Sequence, residues 1–147
     1  MVFMVNCVAE TEEVGKKIAE LLEKQNSTNA FIAMRGEMGV GKTAFTRGFA
    51  SHFGIRGVKS PTYSVVNEYR GRKSIFHFDM YRIESEDDLL SVGYDDYLAS
   101  DGYCIAEWSE NIVDFLPSDV ITVEILRRQD DENGRIIKVT GLGDSDE

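Results

Sequence analysis

Cysteine is almost missing from this chain of 147 residues: there are two, Cys7 and Cys104, far apart and without a C-x-x-C pair. That scarcity excludes a disulfide scaffold. The two histidines, His52 and His77, offer no zinc-ligand spacing to the cysteines, so a structural zinc site is excluded as well. Cys104 lies in the apolar run Tyr103-Cys-Ile-Ala106 and is expected to be a buried thiol. Proline is as scarce. Pro61 and Pro117 stand in separate connections, and no proline-rich linker, internal repeat or low-complexity block divides the chain. No apolar run approaches the roughly 18 residues that cross a bilayer. The opening Met1–Glu10 has no basic start and turns acidic at once, which excludes a signal peptide reading; a cytosolic protein without membrane contact is expected. Bases are outnumbered, 16 against 26 acids, for a net charge of -10. Such a surface repels phosphate backbones and disfavours tight independent binding of nucleic acid.

The hydrophobic and charged fractions, 42% and 29%, suit one soluble globular domain with a single core. Residues 2–8 read as a strand. Residues 11–25 read as an amphipathic helix with Thr11 as N-cap and Val14, Ile18, Leu21 and Leu22 at helical spacing. Ala30–Met34 is a short apolar strand. Phe45, Phe49 and Phe53 then mark one face of a helix that Gly54 ends. Tyr63–Arg70 and Lys73–Tyr81 flank Gly71-Arg72, a hairpin signal. Glu84–Leu90 and Asp95–Leu98 suggest short acidic helices, and Tyr103–Ala106 a buried strand. Val120–Leu126 and Ile136–Val139 flank the turn-rich Asp130–Gly134 as a second hairpin. The expected fold is a single-domain α/β P-loop NTPase-like mixed sheet flanked by helices, spanning residues 1–141, with a disordered acidic tail over 142–147. Strand order cannot be read from this pattern.

Between the second strand and the phenylalanine helix stands Gly36-Glu37-Met38-Gly39-Val40-Gly41-Lys42-Thr43, which fits G-x-x-x-x-G-K-[ST] at every fixed position. The glycines allow backbone conformations closed to other residues and let the main chain approach phosphates. The loop N–H groups form an anion nest, and the helix beginning near Lys42 adds its positive dipole end. Lys42 supplies a point charge for the β- and γ-phosphates, and the Thr43 hydroxyl is placed to ligate magnesium. The expected ligands are therefore ATP and Mg2+, held by Gly36–Thr43 with Ala44 in the following turn.

A magnesium ion on a nucleotide usually takes a further carboxylate contact, direct or through water, from the end of a neighbouring strand. Two acids qualify. In Ile75-Phe-His-Phe-Asp79, alternation puts Phe76, Phe78 and Met80 on one face and Ile75, His77, Asp79 and Tyr81 on the other. Glu107 follows the buried run Cys104–Ala106. Asp79 could instead pair with Arg82 at the surface, and Glu107 could be a rim carboxylate. With Lys42 they form the expected catalytic set, and with Thr43 the expected metal set. Trp108 is either core or a wall of the nucleotide site. His77 reads as an orienting or internally satisfied histidine rather than a metal ligand. Thr62, in Ser60-Pro-Thr62, is either a switch threonine that senses the γ-phosphate or part of an ordinary turn.

With the P-loop, Ser60-Pro-Thr-Tyr63, His77-Phe-Asp-Met-Tyr-Arg82 and Glu107-Trp108 in this order, the chain resembles the TsaE family over about residues 8 to 140. These are bacterial ATPases needed for threonylcarbamoyladenosine formation on tRNA. The resemblance implies a compact mixed-sheet P-loop fold. It also implies partnership with the TsaB and TsaD proteins, which carry the transfer, and ATP hydrolysis that drives or resets their complex; tRNA would be met only indirectly. It implies that Thr43 and Glu107 handle magnesium, that Asp79 takes a Walker-B-like role, and that Thr62 is the switch threonine. Trp108 would line the nucleotide site and Thr11 would lie near the adenine pocket. The chain has Ser109 where many members have proline, and its C-terminal hairpin, including Arg135, matches only loosely. A small-molecule kinase with Arg127-Arg128 as its lid, and a nucleotide-gated binding module with negligible turnover, are the competing readings. An N-K-x-D guanine signature is absent.

Overall fold

Apolar alternation and helical spacing resolve into seven strands and four α-helices in a computed structural model that describes residues 1–25, 27–59 and 65–142. The expectation for Thr62 and, apart from Leu142, the one for a disordered tail over 142–147 lie outside those residues; Leu142 does not belong to such a tail, since it is buried in the core and its carbonyl accepts from Gln25 Nε2 at 2.9 Å. In chain order the elements are β1 (Val2–Val5), α1 (Val8–Lys24), β2 (Asn29–Arg35), α2 (Lys42–Ser51), β3 (Val66–Arg70), β4 (Ser74–Asp79), α3 (Glu86–Ser91), α4 (Tyr94–Ala99), β5 (Gly102–Glu107), a 3-10 segment Ser109–Phe115, β6 (Ile121–Arg127) and β7 (Arg135–Thr140).

The strands form one sheet in the order β1-β7-β6-β2-β5-β4-β3. Its centre, β6-β2-β5-β4, is parallel, and antiparallel pairs close both sides. Both predicted hairpins form. The parallel centre brings the C-terminal ends of β2, β5 and β4 to one rim, the place where ligands collect in open α/β sheets. On one face Ile32, Met34, Ile75, Tyr103 and Ile105 pack with α1 and α2; on the other, Phe31, Ala33, Phe76, Phe78, Cys104 and Ala106 pack with α3, α4 and the 3-10 segment.

Two expectations change. β1 stops at Val5 and α1 begins at Val8, so Thr11 is not an N-cap. Cys7 takes that position with extended φ/ψ, its carbonyl accepts the Thr11 N–H at 3.2 Å, and Glu10 reaches back to the Asn6 N–H at 2.7 Å. The helix start was obscured because Val8 is exposed while Thr11 is buried, the reverse of their usual preferences. The 3-10 segment was not expected from the sequence.

Helices α1 and α2 touch backbone to backbone at two glycines. A Cβ at Gly15 would collide with the Phe45 carbonyl oxygen, and one at Gly48 with the Glu12 carbonyl oxygen. Gly48→Ala is expected to cost about 3 kcal/mol, since neither contact is a flexible side chain; urea unfolding of the variant against the parent checks it.

Neither cysteine is in a disulfide; Cys104 is buried and Cys7 exposed. Burial pushes the Cys104 thiol up to about 12, so it stays protonated and unreactive at neutral and mildly basic pH. A thiol reagent at pH 8 is expected to modify Cys7 within minutes and Cys104 only after denaturant is added; mass spectrometry of the labelled peptides reads the difference.

Candidate functional site

β2 ends at Arg35 and the chain turns through Gly36–Gly41 into α2. The turn depends on positive φ at Gly36 (147°), Gly39 (76°) and Gly41 (124°). Gly36 is also a close approach: a Cβ there would lie 2.7 Å from the Ile125 carbonyl oxygen and 2.8 Å from Val40 Cγ1. Val40 is buried and anchors the loop from inside, with its N–H on the Glu37 carbonyl at 3.3 Å. Lys42 is 7% exposed, and its Nζ donates to the Gly36 carbonyl at 2.8 Å. The same ammonium stands 5.1 Å from the centroid of the Trp108 ring. Loop, lysine and tryptophan thus face one another across a cavity of about 280 Å³ lined by Met38, Gly39, Gly41, Lys42, Thr43, Ala44, Glu107 and Trp108.

Glu107 closes β5, the immediate neighbour of β2, and Asp79 closes β4, one strand further out; the two are register partners. Glu107 lines the cavity and Asp79 does not. Asp79 Oδ1 accepts the Tyr81 N–H at 3.0 Å, and no ion pair among the described residues joins it to Arg82. The predicted alternation in β4 holds, so His77 and Asp79 lie on the α1–α2 face. His77 is wholly buried, and its Nε2 lies 2.7 Å from Glu107 Oε2.

Trp108 has φ 59° and ψ 36°, and among the described residues it is the only non-glycine with positive φ. That conformation costs about 1–2 kcal/mol and turns the chain sharply off the end of β5, aiming the indole at Lys42. Tyr81 meets the indole edge-on at 5.0 Å.

The chain as a whole is similar to known proteins. The profile of the threonylcarbamoyl adenosine biosynthesis protein TsaE matches residues 5–137. The chain is 42% identical over 132 residues to the tRNA threonylcarbamoyladenosine biosynthesis protein TsaE of Haemophilus influenzae, covering 88% of this chain and 84% of that one. It is 38% identical over 133 residues to the protein of the same name from Bacillus subtilis, covering 89% and 82%. The chain belongs to the TsaE family. Its work therefore lies in tRNA threonylcarbamoyladenosine biosynthesis. The crystal structure of YdiB from Bacillus subtilis superposes with a TM-score of 0.74 at 27% identity, over 99% of this chain and 87% of that one.

Measured as a TsaE protein, the chain's departure at Ser109 acquires a reason. Ser109 is fully buried and its Oγ donates to the Met34 carbonyl at 3.1 Å. The bond ties the residue after Trp108 to β2 just before the P-loop, which a proline could not do.

One feature beside the loop was not read from the sequence. A second hollow of about 270 Å³ opens against Gly39–Gly41, lined also by Asn6, Cys7, Val8, Asn133 and Arg135. Arg135 Nε donates to the Val40 carbonyl at 2.9 Å, and Thr11 lies beneath Gly41, its Cγ2 3.7 Å from where a Cβ would be. At the loop tip, Arg127 Nη2 donates to the Met38 carbonyl at 3.2 Å and Nε to Glu37 at 3.4 Å. The basic pair Arg127-Arg128 is therefore no open lid: Arg128 bonds Asp130 at 2.8 Å and Asn6 at 2.9 Å. Among the described residues no group of three or more His, Cys, Asp or Glu could hold a metal, and no helix is long and apolar enough to cross a membrane.

Proposed function

We propose that this chain binds ATP with magnesium and hydrolyses it in the cytosol to drive or reset the TsaB–TsaD transferase complex, meeting tRNA only through those partners. The observation that supports this most is the placement of the Lys42 ammonium and the Glu107 carboxylate on one cavity with the Gly36–Thr43 loop. Inward N–H groups and an ammonium neutralise a polyphosphate, while a carboxylate at the cavity wall can orient a water for attack. The adenosine end fits the second hollow, where Asn6 and Asn133 offer amides and Thr11 backs the loop.

The donor set fits magnesium. Thr43 and Glu107, which line the cavity, offer only hard oxygen atoms, too few to hold an ion without phosphate oxygens, as is usual for this metal, and Asp79, one strand further out, would act through water if it takes part. When bound, magnesium would neutralise charge developing on the phosphates. Positioning carries most of the catalysis in this chemistry, so slow turnover is expected from the chain alone.

Phosphate release from ATP, followed with and without the TsaB–TsaD complex, tests the reading. Slow release alone and faster release with the complex are expected. Tight ATP binding with no phosphate released in either setting would leave a nucleotide-gated binding module instead.

A further inference from the structure

Resting on the hydrolytic reading above and deepening it, we propose that His77 is the positioning residue that holds Glu107 in its working orientation. His77 sits in the middle of β4, opposite Ile105, and Asp79 is opposite Glu107. His77 and Glu107 are therefore diagonal neighbours on one face of a parallel pair. The imidazole is 0% exposed, and its Nε2 stands 2.7 Å from Glu107 Oε2.

The direction of this bond follows from the partners. An ionised carboxylate only accepts, so Nε2 carries the hydrogen. Nδ1 is buried without a partner among the described residues. The ring thus spends its single described hydrogen bond on Glu107, in a wholly buried position on the face of β4 that it shares with Ile75. A half-satisfied imidazole in such a place is less stabilising than an apolar side chain of similar size would be. Its described effect is on the carboxylate. With Oε2 fixed, Glu107 loses the freedom of its terminal torsions, and the second oxygen, which has no hydrogen bond among the described residues, is left for the cavity that Glu107 lines. Without the imidazole the side chain can swing on three torsions while the P-loop and Lys42 remain in place.

The test uses His77→Leu, His77→Gln and His77→Asn, alone and on a Glu107→Gln background, with the TsaB–TsaD complex present. Wild-type turnover is measured first; its absence would defeat the hydrolytic reading itself. Given turnover, His77→Leu is expected to lower kcat about 10- to 100-fold, the scale of a misplaced reacting group, with KM for ATP changed less than about twofold. Glutamine places its amide nitrogen where Nε2 stands and is expected to restore kcat to within about threefold. On the Glu107→Gln background, His77→Leu is expected to cost less than about twofold more, because the carboxylate that His77 positions is already absent. Wild-type kcat in His77→Leu, or an undiminished loss on the Glu107→Gln background, would overturn the proposal. Should His77→Leu fail to fold, His77→Asn carries the test. Its shorter amide cannot reach Glu107, the same kcat loss is expected, and wild-type kcat in that variant would overturn the assignment.

Discussion

Lys42→Ala is expected to remove nucleotide binding and turnover together while the protein stays folded. Lys42 is 7% exposed, and its ammonium is drawn into the P-loop by the Gly36 carbonyl at 2.8 Å. With a triphosphate in the loop, that positive charge is the nearest full charge opposing the phosphates, and charge-assisted contacts in a sheltered cavity are the strong ones. Its loss should weaken ATP affinity about 100-fold or more, which corresponds to roughly 3 kcal/mol. The fold should survive because the core cluster under α2 is built on Phe45, Phe49 and Phe53, none of which touches the cavity. Trp108 lies 5.1 Å from the ammonium, so its fluorescence on ATP titration reports binding directly, and circular dichroism of the same sample reports the fold.

Glu107→Gln should separate what Lys42→Ala removes together. The amide keeps the size of the side chain and still meets the cavity, so ATP affinity should stay within a few-fold. The carboxylate's ability to orient and accept from an attacking water is lost, and kcat should fall about 100- to 1,000-fold. Calorimetric ATP binding and phosphate release on one preparation read the two effects side by side. Equal losses in affinity and in kcat would mean that Glu107 serves binding rather than the chemical step.

The contrast between these two residues reflects what a linear sequence can hold. The P-loop was legible because its chemistry is written in eight consecutive residues between an apolar strand and a phenylalanine-spaced helix. Asp79 and Glu107 were legible as acids at the ends of apolar strands, and the sheet places them as register partners on the same rim as the loop. The order of the strands was not legible. That Glu107 reaches the cavity wall and Asp79 does not follows from β5 lying between β2 and β4, which no local spacing encodes. Arg127 and Arg135 reach the loop for the same reason: β6 is the other neighbour of β2, and β7 follows it. The His77–Glu107 contact spans 30 residues and could be anticipated only as an orienting role without a partner. Thr11 was misplaced at a helix start because a buried threonine inside a helix looks, in sequence, like a cap. The positive φ of Trp108 left no compositional trace at all.

The central claim is that main-chain amides and one ammonium at the start of α2 form a site for a triphosphate. Calorimetric titration of the wild-type protein with ATP and magnesium tests it most directly. The account predicts saturable one-to-one binding that disappears in Lys42→Ala. No heat of binding up to millimolar ATP, or identical binding by Lys42→Ala, would contradict it.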